Sequence, residues 1–246
     1  LARFYHRIPS HSVNNIKYLF QPLLVILIPM VLIIRQPDLG TAILIAGGSL
    51  SVICLAGLRI KYFIYSFFFF IISAPIVIAF LKPYQKLRIL TFLNPERDPL
   101  GAGYQIIQSK IAVGSGGIFG KGYLKGSQSY LDYLPEKHTD FVFTLYSEEF
   151  GFVGSAILLL IYALIILRII AAGRISRSSF AKLFCFGFAT AFFIYVIVNM
   201  SMVLGLLPIV GAPLPIVSYG GSAMLAIMIG LGIVMSCRVH KNEIIP

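Results

Sequence analysis

Three carboxylates and a histidine gather in one short stretch, Leu131-Asp-Tyr-Leu-Pro-Glu-Lys-His-Thr-Asp140, and an apolar run starts immediately after it. Asp132, Glu136 and Asp140 are residue types that take a proton from a hydroxyl or hold a hard divalent cation, Mg2+ or Mn2+. For Asp132 and Glu136 the plain alternative is solvated loop charge. His138 reads as a general base, a ligand or a plain loop residue; a single histidine beside one aspartate is weak evidence for a metal site, and orientation of a substrate or of Asp140 is the favoured role. Asp140 itself has two readings. Directly before an apolar helix it is a natural cap, as is Thr139. At about 100° per residue it also heads a polar stripe of Thr144, Ser147, Gly151 and Ser155, with Glu148 at the edge and Glu149 on the opposite side. A polar stripe descending into a membrane must face protein or a water-filled cavity, and acids there are functional candidates. The alternative for Glu148 and Glu149 is burial against an arginine or a backbone group.

These residues close a polar loop running from Lys82 to Asp140. Within it, Tyr104-Gln-Ile-Ile-Gln-Ser-Lys-Ile-Ala-Val113 has apolar residues at helical spacing, which predicts a short amphipathic helix at the membrane interface carrying Gln108 and Lys110. Gly114-Ser-Gly-Gly117 ends it, and Gly120 and Gly122 continue a flexible, turn-rich stretch. Lys110, Lys121, Lys125 and Arg88 suit a diphosphate, or equally anionic head groups. A further motif, Leu207-Pro-Ile-Val-Gly-Ala-Pro-Leu-Pro-Ile-Val-Ser-Tyr-Gly-Gly-Ser222, holds three prolines and then Ser218-Tyr-Gly-Gly221. Broken backbone at membrane depth persists only where protein buries it or it lines a cavity. Ser218 therefore joins Gln108, Lys110, Asp132, Glu136, His138 and Glu148 as a substrate-binding candidate, with Asp140 as the catalytic one.

The elements that position these residues must be membrane-spanning. The 246 residues are 58% hydrophobic and only 12% charged, against about 25% charged in soluble domains, and the mean hydropathy is +0.90. Six spans of roughly 20 apolar residues are predicted: Tyr18–Ile34, Leu39–Leu58, Tyr62–Leu81, Phe141–Ile170, Leu183–Leu207 and Leu214–Cys237. The class is all-α, a polytopic helical membrane bundle read as one transmembrane domain over 1–246, with the 82–140 loop as its extracytoplasmic catalytic part. Basic residues near span ends (Arg3, Arg7 and Lys17; Arg59 and Lys61; Arg168, Arg174, Arg177 and Lys182; Arg238 and Lys241) are self-consistent if all four clusters are cytoplasmic, which turns the loop outward. The net charge of +11 thus reports topology and head-group contact, not nucleic-acid binding. Cys54, Cys185 and Cys237 lie in apolar stretches without metal-ligand spacing and read as buried thiols. The opening residues Leu1-Ala-Arg-Phe-Tyr-His-Arg7 read as the end of a helix in a longer chain.

Gln36-Pro-Asp-Leu-Gly-Thr-Ala42, Asp98-Pro-Leu-Gly-Ala-Gly-Tyr-Gln-Ile-Ile-Gln-Ser-Lys-Ile-Ala-Val-Gly-Ser-Gly-Gly117, Leu134-Pro-Glu-Lys-His-Thr-Asp-Phe141, Glu148-Glu-Phe-Gly151 and Pro213-Leu-Pro-Ile-Val-Ser-Tyr-Gly-Gly-Ser222 together resemble the SEDS family (shape, elongation, division and sporulation), in its rod-shape branch. The resemblance covers nearly the whole chain. It implies a ten-helix membrane fold of which this chain supplies the end of helix four and helices five to ten. It implies a peptidoglycan glycosyltransferase that polymerises lipid II, an undecaprenyl-diphosphate-linked disaccharide peptide, at the outer face of the bacterial cytoplasmic membrane during elongation. It places the family's essential aspartate at Asp140 and its acidic loop position at Asp132, and it implies a class B penicillin-binding protein as partner. The family's Ser-Glu-x-x-Lys-type motif of helix four lies outside this chain. A lipid II flippase is the alternative that the same acidic stripe and broken helices would serve, and a scaffold recruiting the transpeptidase ranks third.

Overall fold

The structure, a computed structural model, describes residues 1–9, 13–14, 16–36, 38–59, 61–62, 64–65, 68, 71–73, 83–98, 101–126 and 138–243. Every regular element among them is helical: α1 (Ala2–Tyr5), α2 (Ile16–Arg35), α3 (Leu39–Leu55), α4 (Pro83–Leu93), a 3-10 turn (Pro95–Arg97), α5 (Ala102–Ser115), α6 (Val142–Ile175), α7 (Ser179–Val203) and α8 (Gly221–Val239).

Among the described residues four helices are long and apolar enough to cross a membrane, at Tyr18–Arg35, Val142–Ile175, Ser179–Val203 and Gly221–Val239. They correspond to the first, fourth, fifth and sixth predicted spans. The second, α3, is apolar but has 17 residues, because Gly57 at φ 109° turns the chain just past its end; at 1.5 Å per residue it falls short of a 30 Å hydrocarbon core. The third, Tyr62–Leu81, falls largely outside the described residues. The fifth begins four residues early, since Lys182 sits in the first turn of α7 rather than before it. The sixth begins late, at Gly221, because Leu214–Gly220 is irregular. The amphipathic helix is present as α5. The helix α4 was not expected, its Lys86 and Arg88 having been read as loop.

The chain forms two compact units, residues 1–81, 166–194 and 228–246 in the first and 82–165 and 195–227 in the second. In lipid, helices gain little from apolar burial and associate by close packing of small residues. The first unit follows that rule. A methyl group on Gly48 of α3 would lie 3.1 Å from Ala191 Cβ of α7, and one on Gly230 of α8 would strike the ring of Phe188. Phe20, Val25, Ile28 and Leu32 of α2 remain exposed, the surface lipid would cover. A small core of Tyr5, Val13, Ile26 and Ile53 closes the end near α1.

The second unit is built around a break in α6. Gly151 has φ 65° and ψ −160° inside that helix, conformations open to glycine. A break leaves amides and carbonyls unpaired, costly at membrane depth. The Gly-rich segment after α5 supplies the partners. Phe152 N donates to Gly117 O at 2.9 Å and Val153 N to Ile118 O at 3.0 Å, while Lys121 N and Gly122 N donate to the carbonyls of Glu148 and Glu149, each at 3.0 Å. The stretch read as a flexible turn is thus a strap laid into the break.

Candidate active site

Asp140 sits in the turn before α6, half-buried. Three consecutive carbonyls of that turn are anchored. Tyr219 N donates to His138 O at 2.9 Å, Ser218 Oγ to Thr139 O at 2.6 Å, and Asn199 Nδ2 to Asp140 O at 2.9 Å. The anchors come from the Pro-rich loop and from α7. They are themselves fixed: Leu214 N donates to Ser218 Oγ at 2.8 Å, Asn199 Nδ2 also donates to Ala212 O at 2.6 Å, and Tyr162 Oη of α6 donates to Pro215 O at 2.6 Å. Asn199 is fully buried and Ser218 nearly so. The backbone bearing Asp140 therefore has little freedom, which is what a positioned catalytic group requires.

Gly211, at φ 69°, lies beside the carboxylate: a methyl group there would make an ordinary contact, 3.5 Å from Asp140 Oδ2. An open cavity of about 750 Å³ adjoins the turn, with His138, Val142, Ser218, Tyr219 and Met224 in its lining. Ile216, another lining residue, has φ 70°. A β-branched side chain in the left-handed region is strained by about 1–3 kcal/mol, a cost typically found at functional sites. Val217 and Tyr219 are exposed on the same loop.

The polar stripe below Asp140 is buried in protein. Thr144 Oγ1 and Ser109 Oγ of α5 are 2.8 Å apart, and Ser109 Oγ donates to Val203 O at 2.8 Å. Ser155 Oγ donates to Gly151 O at 2.8 Å and lies 3.0 Å from Ser147 Oγ, from which it accepts, bridging the helix break. Glu148, fully buried, has Oε1 2.7 Å from Lys121 Nζ. That is the buried-pairing alternative, with lysine in place of arginine, and it occupies one lysine assigned by charge to a diphosphate. Glu149 is buried as well, with Gly126 close to its side chain.

The structure therefore brings Asp140, His138 and Ser218 together and sets Glu148 against Lys121. Lys110 is exposed, its Cε and Nζ packed over Gly205, and Gln108 is half-buried on α5. Asp132 and Glu136 lie outside the described residues. Among the described residues no group of three His, Cys, Asp or Glu side chains could hold a metal ion, and Asp140 alone represents the three-carboxylate cation site. Asn199 was missed by sequence reasoning; its signal is an amide in the middle of an apolar span.

The sequence pattern of the FtsW/RodA/SpoVE cell cycle proteins matches residues 1–243. The chain belongs to this family. This FtsW/RodA/SpoVE member is 48% identical over 221 residues to the peptidoglycan glycosyltransferase MrdB of Escherichia coli K12, covering 89% of this chain and 60% of that protein. It is 46% identical over 161 residues to the peptidoglycan glycosyltransferase RodA of Treponema pallidum, covering 65% of this chain and 37% of that protein. It superposes on a structure of a peptidoglycan synthase complex, described as coordinating polymerization and crosslinking, with TM-score 0.76 and 34% identity over 90% of this chain and 62% of that one. Crystalline RodA of Thermus thermophilus matches with TM-score 0.61 and 26% identity over 95% and 62% of the two chains. The family member described here thus spans about three fifths of the length of these first relatives.

Proposed function

We propose that the protein to which this chain belongs is a peptidoglycan glycosyltransferase, polymerising lipid II at the outer face of a bacterial cytoplasmic membrane during elongation. The observation that carries this reading is the triple carbonyl anchor, which fixes the turn of Asp140, whose His138 lines an open cavity at the start of α6. The names of the relatives support the same reaction class.

In this reaction a sugar hydroxyl of the acceptor attacks the anomeric carbon of a lipid-diphosphate sugar, and the polyprenyl diphosphate leaves. An α-linked donor giving a β-linked polymer means inversion, which needs a base on the hydroxyl and charge stabilisation on the leaving group. Asp140 takes the hydroxyl proton. His138 and Ser218 hold the turn and the cavity wall. Lys110, Lys125 and Arg88 neutralise the diphosphate, or a hard divalent cation does so, for which Asp132, Glu136 and Asp140 would be the ligands. The helix α5 seats the loop at the interface where the lipid tails emerge. The expected partner is a class B penicillin-binding protein, a transpeptidase, in keeping with a relative seen in a complex that joins polymerization to crosslinking.

The test is polymerisation of labelled lipid II by the purified full-length protein with Asp140→Asn. The rate should fall by roughly 10²–10⁴-fold, the usual contribution of a positioned base, while the thermal midpoint stays near that of the parent. Near-parental polymer would remove Asp140 from the base role. Lipid II crossing sealed vesicles without any polymer from the parent protein would overturn the enzyme in favour of a transporter.

A further inference from the structure

The first unit has a cavity of its own, of about 300 Å³, where α7 begins and α8 ends. Ser178, Phe180 and Ala181 line one side, and Ser236, His240 and Glu243 the other. Ser178 is the residue before α7 and its carbonyl accepts from Lys182 N at 3.1 Å. Its side chain is 3% exposed, yet Oγ has no hydrogen-bond partner in the protein. A buried hydroxyl without a partner is costly and calls for an explanation. The first-turn N–H groups of the 25-residue α7 lie at the same place, and such groups have no acceptor within their own helix. A helix N-terminus attracts phosphate through those donors and its dipole. His240 Nδ1 is 3.0 Å from Ser236 O, which leaves Nε2 for a ligand. Arg177 N donates to Lys241 O at 2.8 Å, so the loop before α7 and the end of α8 bring Arg177 and Lys241 to the rim, with Arg174, Lys182 and Arg238 on the same helix ends.

We propose that this cavity binds the phosphate of a membrane lipid headgroup that also carries a primary amine, of the phosphoethanolamine class. Ser178 Oγ and the N-terminus of α7 hold the phosphate, with His240 beside it. Glu243, the one carboxylate in the lining, meets the ammonium; among the described residues it makes no ion pair. The cavity lies at the ends of two apolar helices, where headgroups of a bilayer would stand. The basic rim adds attraction for phosphate, and Glu243 disfavours headgroups that lack the amine. The inference concerns a surface away from Asp140 and does not depend on the proposed reaction.

The experiment is native mass spectrometry of the purified full-length protein titrated with phosphatidylethanolamine or phosphatidylglycerol of matched chains. The parent should retain the ethanolamine lipid in preference. Ser178→Ala should weaken retention of both lipids by about tenfold, the worth of one hydrogen bond to a charged group, with the thermal midpoint unchanged or raised, since the hydroxyl has no structural partner to lose. Glu243→Gln should abolish the preference between the two lipids. Equal retention of both by the parent, or a Ser178→Ala protein that binds like the parent, would overturn the proposal. Displacement of the lipid by soluble phosphoethanolamine at equal concentration would overturn the assignment to a membrane lipid.

Discussion

Ser218 Oγ lies 2.6 Å from the carbonyl oxygen of Thr139, 79 residues earlier in the chain, and this bond ties the Pro-rich loop to the turn that carries Asp140. The same oxygen accepts from Leu214 N. Ser218→Ala removes both bonds at once and strands the buried Leu214 amide, at about 1–3 kcal/mol. Because the lost bonds hold the proposed base rather than the substrate, the turnover number in the proposed lipid II polymerisation should fall about 10–100-fold with little change in KM, the signature of misplacement near the reacting atoms. Ser218→Thr keeps the hydroxyl and should recover most of the rate. Steady-state kinetics of the three proteins decides it; a rise in KM at constant turnover would assign Ser218 to substrate binding instead.

Asn199 extends the same anchor. Its Nδ2 bridges Asp140 O and Ala212 O while Oδ1 is buried without a partner. Asn199→Leu removes both bonds and takes the donor from the buried Ala212 carbonyl, at about 1–3 kcal/mol. Asn199→Asp replaces the donor by an acceptor facing two acceptors and should destabilise more. Thermal melts in detergent should rank the parent above the leucine variant and the leucine variant above the aspartate variant. Equal midpoints would mean that the bridge carries no weight.

How far these features were legible in the sequence depends on the kind of signal each leaves. Asp140 was legible because an acid next to an apolar run is rare and its burial costs force a reason. Asn199 was not, since a neutral amide inside a span costs less and Asn199-Met-Ser201 reads as a mild dip in hydropathy. The four long spans follow from composition alone, but their ends do not: α7 starts at Ser179 through Lys182, whose charge is tolerated at an interface. The break at Gly151 is invisible to periodicity, for glycine is common in membrane helices. With the break unseen, the glycines from Gly116 to Gly122 had no visible duty and read as flexible, although Gly116 and Gly120 approach the backbone of α6 too closely for a side chain.

Lys121 and Glu148 form an ion pair in the second unit, at 2.7 Å, with the carboxylate fully buried and the lysine about one third exposed. Removing the lysine takes a cation away from a fully buried carboxylate, so Lys121→Met should lower stability by up to about 3–5 kcal/mol. Glu148→Gln should cost less, since the stranded lysine reaches water. The double variant should be more stable than Lys121→Met alone. A thermodynamic cycle from the four thermal midpoints measures the coupling, and additive losses would show that the pair contributes nothing beyond its separate side chains.

The strap offers the sharpest contrast, because two neighbouring glycines with positive φ differ in what surrounds them. At Gly120, φ 80°, a methyl group would collide with the carbonyl of Glu149; at Gly117, φ 57°, nothing lies within 4 Å of the same position. Both backbones favour glycine, but asparagine tolerates the left-handed region where space is open. Gly117→Asn should therefore cost about 1 kcal/mol or less, whereas Gly120→Ala must push the strap out of the helix break and expose the unpaired groups around Gly151. That loss involves the bonds of Lys121 N and Gly122 N to α6 together, at roughly 1 kcal/mol net for each bond broken. Limited proteolysis of the folded protein should cut Gly120→Ala within residues 116–122 and leave Gly117→Asn as resistant as the parent. Equal resistance of all three would mean that the strap does not need to enter the break to hold the second unit together.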